Sequence, residues 1–175
     1  MSGVKEERQF IPVRVALLTV SDTRNLETDV SGDILKARIE DAGHFLADRS
    51  LLRDEAAQIR QQVKRWTEDP GIDVVITTGG TGLTGRDVTV EAIRPLFDKE
   101  IDGFSVIFHH VSYRSVGLST LQSRACAGVI DGTFVFLLPG SRGAVKDAWD
   151  EIICCELNSL YSPCNLVEIM PRLME

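Results

Sequence analysis

The sequence lacks several features, and each absence removes a class of function. No apolar run approaches the roughly 18 residues needed for a membrane-spanning helix. The opening Met-Ser-Gly-Val-Lys-Glu-Glu-Arg does not read as a signal peptide, so a cytoplasmic protein is expected. There is no excess of positive charge. Lys and Arg total 19 against 26 Asp and Glu, which leaves a formal charge of −7 and a pI near 5.0. That balance argues against a nucleic-acid surface but permits a local basic pocket. The four cysteines, Cys126, Cys154, Cys155 and Cys164, have no C-x-x-C spacing, so they read as buried thiols in a reducing compartment rather than a zinc knuckle. Repeats, low-complexity runs and linker-like stretches are missing too. What remains is 175 residues of ordinary composition, 43% hydrophobic and 26% charged. One domain of that size buries about 70% of its unfolded surface.

The most informative stretch is residues 74 to 89, Val-Val-Ile-Thr-Thr-Gly-Gly-Thr-Gly-Leu-Thr-Gly-Arg-Asp-Val-Thr. Its β-branched start predicts a strand buried on both faces. Thr89 is placed to cap a following helix, with Glu91 in the first turn, where the helix dipole favours an anion. Between them lie glycines at 79, 80, 82 and 85. Glycine tolerates positive φ and lets bare N–H groups crowd a ligand, so such a loop readily cradles phosphate or carboxylate oxygens. Thr78, Gly79, Gly80, Thr81 and Gly82 are therefore candidate ligand contacts. Arg86 adds a cation for an anionic ligand, and Asp87 a carboxylate for a metal or a proton. Two other readings stand beside this one. Gly80 to Gly85 spells the dinucleotide fingerprint G-x-G-x-x-G, but that motif calls for a second strand ending in an acid about twenty residues on. Residues 90 to 116 read as helical instead. The loop could also be a tight turn that binds nothing. A Walker A loop is excluded because no Gly-Lys-Ser/Thr is present.

The rest of the chain alternates. Residues 13 to 20 predict a central strand ending in the polar cluster Ser21-Asp22-Thr23-Arg24, at the sheet edge where α/β ligands bind. A helix from Ser31 to Ala42 stops at Gly43, and Phe45 to Leu52 is a second strand. Asp54 is placed to cap the next helix, whose apolar face carries Ala56, Ile59, Val63 and Trp66. Residues 98 to 103 read as a turn, 104 to 115 as a helix with His109 and His110 at a surface or interface, and 119 to 125 as a short helix opening. Thr133 to Leu138 is a further buried strand, followed by the small-residue loop Pro139-Gly140-Ser141 and a helix from Ala144 to about Leu157. This loop should face the same sheet edge as the glycine loop. The hydroxyls of Ser21, Thr78 and Ser141 lie at strand ends, where they can orient a polar ligand. The expected fold is a single doubly wound α/β domain over residues 10 to 160, with a mostly parallel central sheet flanked by helices. Residues 1 to 9 and 161 to 175 read as terminal extensions.

Leu-Thr-Val-Ser-Asp-Thr-Arg (18 to 24), Thr-Thr-Gly-Gly-Thr-Gly (77 to 82), Gly-Arg-Asp-Val-Thr (85 to 89) and Leu-Pro-Gly-Ser (138 to 141) together resemble the MoaB/Mog family of molybdenum cofactor biosynthesis proteins. Asp98 to Phe104 and Ser119 to Ala125 resemble its MoaB branch. The resemblance implies a molybdopterin-binding fold. In active members it also implies Mg²⁺- and ATP-dependent adenylylation of molybdopterin with release of pyrophosphate. It places the family's two catalytic aspartates, which are also candidate Mg²⁺ ligands, at Asp54 and Asp87. Trimers or hexamers are implied, along with other molybdenum cofactor biosynthesis proteins as partners. An oligomer that binds or carries the pterin without adenylating it is the alternative. Two positions depart from the pattern: Arg53 and Val90 stand where many relatives carry Pro. A cation at 53 would pair with Asp54 or add to phosphate binding.

Overall fold

Arg14–Val20 forms a strand in which every residue after Arg14 is buried. Successive side chains of a strand point to opposite faces, so an all-apolar run needs cover on both sides. Val15 and Leu17 enter one core, with Val74 and Ile76; Ala16, Leu18 and Val20 enter another, with Val75. The computed structural model describes residues 3–4 and 9–175. In chain order the elements are β1 (Gly3–Val4), β2 (Arg14–Val20), α1 (Val30–Asp41), β3 (Phe45–Leu52), α2 (Ala56–Thr67), β4 (Val74–Thr78), α3 (Thr89–Ile93), β5 (Lys99–Glu100), α4 (Asp102–Val116), β6 (Cys126–Ile130), β7 (Thr133–Leu138), α5 (Arg142–Ala148), α6 (Cys154–Glu156), β8 (Tyr161–Ser162) and α7 (Leu166–Ile169). Six strands make one sheet in the order β3-β2-β4-β7-β6-β5, with β3, β2, β4 and β7 parallel. Helices α1, α4 and α5 cover one face, and α2 and α3 the other. This is the doubly wound domain the alternation predicts.

Several local expectations change. The sequence at 126 to 130 had suggested no strand, yet β6 pairs antiparallel with β7 and β5 antiparallel with β6. The β6–β7 turn is Asp131-Gly132, both at positive φ (48° and 79°), which matches the twist of a two-residue hairpin. The short helix expected to open at 119 to 125 is a 3₁₀ helix over residues 117 to 122, and part of the predicted turn at 98 to 103 is β5. The helix predicted from Ala144 runs from Arg142 through a π-helical turn (Trp149–Ile153) into α6. Glu55, not Asp54, occupies the N-cap of α2, without a side-chain cap bond. Val88, not Thr89, occupies that of α3; the Thr89 hydroxyl donates to the Gly79 carbonyl at 2.9 Å instead.

The C-terminal tail belongs to the fold. Val167 is buried, and Leu166, Met170 and Leu173 pack on the first core. Tyr161–Ser162 pairs with Gly3–Val4; of the extension expected at residues 1 to 9, residues 1–2 and 5–8 lie outside the described residues. Of the thiols only Cys126 is buried, whereas Cys154 and Cys155 are half-buried and Cys164 is exposed.

His44 begins β3's approach to the sheet and is 4% exposed, its ring between Phe10 and Trp149. Its Nδ1 accepts the Val13 N–H at 3.2 Å, so the ring is neutral there. Burial holds its pKa below the ordinary imidazole value. The unfolded chain therefore binds the proton more readily than the native one. The contribution to stability is complete above about pH 6.5 and drains as the pH falls below it. His44→Asn keeps an acceptor for Val13 but cannot titrate. Thermal melts between pH 7.5 and 5.5 should show a shallower loss of Tm for this variant, on top of a uniform cost of about 1–3 kcal/mol for the lost ring packing.

Candidate functional site

The chain leaves β2 for β3 on one side and returns to β4 on the other, so the carboxyl ends of β2 and β4 flank a topological switch point. Open α/β sheets leave a crevice there. The Gly79 N–H donates to the Leu138 carbonyl at 3.0 Å, and a Cβ on Gly79, whose φ is +101°, would run into the Val20 carbonyl. Three strand ends thus meet around one residue without a side chain. The cavity above them has a volume of about 620 Å³, within the range of small-molecule sites.

Ser21 and Asp22 enter this cavity from the end of β2, Asp54 from the β3–α2 turn, Thr78 to Gly82 and Asp87 from the glycine loop, and Pro139 to Ser141 from the end of β7. The candidate catalytic and ligand-contacting residues named from the sequence line it, except Arg86; Arg53 and Gly85 also lie outside it. That guanidinium is forked onto Asp22, with Nε to Oδ2 at 2.9 Å and Nη2 to Oδ1 at 2.8 Å, and lies 3.5 Å from Glu55. Asp22, in turn, accepts the Asp54 N–H at 3.3 Å. Arg86 therefore ties the glycine loop to the β2 and β3 ends instead of presenting a free cation. Arg53 makes no ion pair with Asp54 among the described residues; its charge acts on Asp22. The expected hydroxyls are engaged locally. Thr78 donates to the Pro139 carbonyl at 3.0 Å, Ser141 caps α5 by accepting the Ala144 N–H, and Ser21 accepts the N–H groups of Thr23 and Arg24. As an acceptor, Ser141 retains its own proton for donation, while the Ser21 hydroxyl also lies 3.5 Å from that of Thr23.

The opposite wall had not been assigned from the sequence. Phe108, Ser112 and Val116 of α4 and Ser119, Thr120, Gln122 and Ser123 beyond it line the cavity. The grouping of small polar residues at 119 to 123 was the available signal. Ser31 in the first turn of α1 closes the floor by donating to the Gly140 carbonyl at 2.8 Å. His109 is half-buried behind this wall, where its Nδ1 bonds the Thr120 hydroxyl at 2.8 Å.

The two aspartates have opposite electrostatic environments. Burial, together with the charges of Asp22 and Asp87, pushes the Asp54 carboxyl up, and this outweighs the hydrogen bond it accepts from the Asp22 N–H. Burial also opposes ionisation of Asp87. It is overcome by the Thr84 hydroxyl and N–H (2.6 and 2.8 Å to Oδ2), the Gly82 N–H and the charge of Arg124, which hold the carboxyl below its usual range. No group of three or more His, Cys, Asp or Glu side chains able to hold a metal occurs among the described residues. Asp54 and Asp87 suit a hard cation that takes the rest of its oxygen ligands from a substrate and water, the usual habit of Mg²⁺.

Gly80 has φ +66°, and a Cβ there would lie 2.8 Å from Asp54 Oδ1. Gly85 has open space and no such backbone constraint. Gly80→Ala should cost about 1–3 kcal/mol in urea denaturation, whereas Gly85→Ala should stay within about 0.5 kcal/mol.

Comparison with known proteins bears on this site. The profile of a family described as "Probable molybdopterin binding domain" matches residues 16–159. The chain is 45% identical over 165 residues to molybdenum cofactor biosynthesis protein B of Escherichia coli (strain K12), covering 94% of this chain and 96% of that protein. It is 46% identical over 158 residues to the protein of the same name from Bacillus subtilis (strain 168), covering 89% and 93%. Among solved structures, a molybdenum cofactor biosynthesis protein B superposes with a TM-score of 0.83 at 42% identity, covering 86% of this chain and 94% of that one. The tungsten cofactor synthesizing protein MoaB from Pyrococcus furiosus superposes at 0.72 with 36% identity, covering 81% and 91%.

Proposed function

This chain belongs to the MoaB/Mog family of molybdenum cofactor biosynthesis proteins, and on that premise we propose that it transfers AMP from ATP to the phosphate of molybdopterin. The observation that carries the proposal is the convergence of Asp54 and Asp87 on one cavity, with the glycine loop between them. In the reaction an oxygen of the molybdopterin phosphate attacks the α-phosphorus of ATP. The new P–O bond forms as the bond to the β-phosphate oxygen breaks, and pyrophosphate leaves. The nucleophile is already an anion near neutral pH, so the step needs no general base. Its difficulty is bringing two anions together, which calls for alignment and charge neutralisation.

The chain's residues supply the alignment. The Gly80 and Thr81 N–H groups and the Ser21 and Ser141 hydroxyls orient phosphate oxygens. Asp87, held ionised by Thr84, and Asp54 would hold Mg²⁺ against those oxygens, and the ion would supply the missing positive charge. Arg86 stays bound to Asp22, outside the cavity. That last feature favours a second reading, in which the protein binds or carries the pterin and leaves ATP intact.

Pyrophosphate release from Mg²⁺-ATP separates the two. Adenylylation predicts release that depends on molybdopterin and falls about 100-fold or more in Asp87→Ala, with the fold intact by circular dichroism. Tight molybdopterin binding without release would move the assignment to a carrier.

We also propose self-association through the outer face of α4 and the 3₁₀ helix behind it. The helix splits cleanly. Phe104, Phe108 and Val111 enter the core, while Val106 (69% exposed), Ile107, Tyr113, Leu118 (72%) and Leu121 (70%) face outward. An apolar row of that length marks an interface. Sedimentation velocity should show a trimer or larger, and Leu118→Glu with Leu121→Glu should dissociate it.

A further inference from the structure

Arg124 stands between the site and a second depression of about 860 Å³ behind the glycine loop. Its main-chain N–H donates to the Thr81 carbonyl at 3.0 Å. Its side chain then turns back along the same loop. Nε donates to the Gly82 carbonyl at 2.8 Å and reaches Thr81 at 3.4 Å, and Nη2 donates to the Asp87 carbonyl at 3.2 Å. The outer edge of the guanidinium is paired with the Glu91 carboxylate, from the first turn of α3. One side chain thus collects three carbonyls of a loop that has few packing contacts of its own: Leu83 is 68% exposed, and Gly85 faces open space.

The consequence follows from peptide planarity. In a trans peptide the C=O and the next N–H point in opposite directions. Holding the Thr81 carbonyl on the Arg124 side turns the Gly82 N–H the other way, where it meets the Asp87 carboxylate. Holding the Gly82 carbonyl does the same for the Leu83 N–H. Glycine-rich backbone loses more freedom on ordering than any other, so such a loop needs an external tie to keep one conformation. A lysine offers a point charge in place of the planar fork that spans these acceptors.

We infer that Arg124 is a positioning residue: oriented by Glu91, it holds residues 81 to 87 in the conformation that seats Asp87 against the Gly82 N–H and presents its carboxylate to the cavity. The inference rests on the functional reading above, and it deepens it by giving the glycine loop a dedicated restraint outside the cavity.

Amide hydrogen exchange on the unliganded protein, together with steady-state kinetics of pyrophosphate release, tests it in Arg124→Gln, Arg124→Lys and Glu91→Gln. In Arg124→Gln, exchange over residues 79 to 87 should rise about 10-fold or more, the loss expected for one charged hydrogen-bond set, while protection in β2 and β4 stays unchanged. KM for ATP and for molybdopterin should rise with it. Arg124→Lys should recover only part of both effects, and Glu91→Gln should fall between Arg124→Gln and wild type. Unchanged loop exchange would overturn the inference, and so would a loosened loop with wild-type kinetics. If Arg124→Gln unfolds, the two milder variants decide: a rise confined to the loop upholds the restraint, and a uniform rise overturns it. If the wild type releases no pyrophosphate, the adenylylation reading fails on its own. Equilibrium binding of molybdopterin then replaces kinetics, and a loosened loop with undiminished binding overturns the inference.

Discussion

The parallel pairing of β2 with β4, closed by a glycine where β4 ends, is the constraint on which the site depends. Thr19 and Thr78 are paired in the register, so the two chains leave the sheet side by side. A side chain at 79 would collide with the Val20 carbonyl and force the ends apart. Without one, the β4 end also bonds the β7 end through Leu138, and Gly140 packs directly on Gly79. Three loops, each with its own polar residues, are brought to one cavity by these backbone contacts, with the Thr78 hydroxyl and Arg86 as side-chain ties between them. The core beneath them is apolar on both faces of the sheet, which makes the floor rigid and the register unambiguous.

An acidic protein that handles anions needs a source of positive potential other than net charge. In the proposed reaction that source is the backbone. Glycine N–H groups supply partial charges whose desolvation is modest, and the arginines nearest the loop act as struts: Arg86 on Asp22 and Glu55, Arg124 on Glu91 and three carbonyls. The same arrangement separates the two aspartates. Asp87 sits where Thr84 and the loop donate several hydrogen bonds to it, and Asp54 sits half-buried beside two other carboxylates with only the Asp22 N–H to oppose them. Carboxylates whose environments differ in this way are suited to different tasks. A cation bound with the substrate would draw them together.

The wall opposite the glycine loop connects this chemistry to the protein's outer surface. Residues 116 to 123 turn Ser119, Gln122 and Ser123 toward the cavity, while Leu118 and Leu121 stand in solvent on the same short 3₁₀ segment. Thr120 is held from behind by His109. Arg124 follows immediately and grips the glycine loop, so a partner packed on the apolar face would press on Leu121, three residues from the loop's restraint.

Much of this was legible in the chain itself. Apolar runs at 14 to 20, 74 to 78 and 133 to 138, separated by helical periodicity, dictate buried parallel strands because no other arrangement covers both faces of so apolar a strand. The glycine cluster at 79 to 82 and the small residues at 139 to 141 announce strand-end loops, since local sterics are enough to require them. Local signals misled where tertiary contacts outbid them. Thr89 and Asp54 had the chemistry of helix caps, but Thr89 was taken by the Gly79 carbonyl, and Asp54 was displaced into the cavity while Glu55 began the helix. The Asp131-Gly132 turn was readable as a hairpin signal and would have revealed β6. What the sequence determined by itself was the α/β architecture, the edge at which the site forms and the residue types available there, because periodicity and glycine are local properties. Only the folded structure decided which charges pair. Arg86 finds Asp22 across 64 residues and Arg124 finds the glycine loop across 42, and long-range partners are set by how the layers pack rather than by any pattern along the chain.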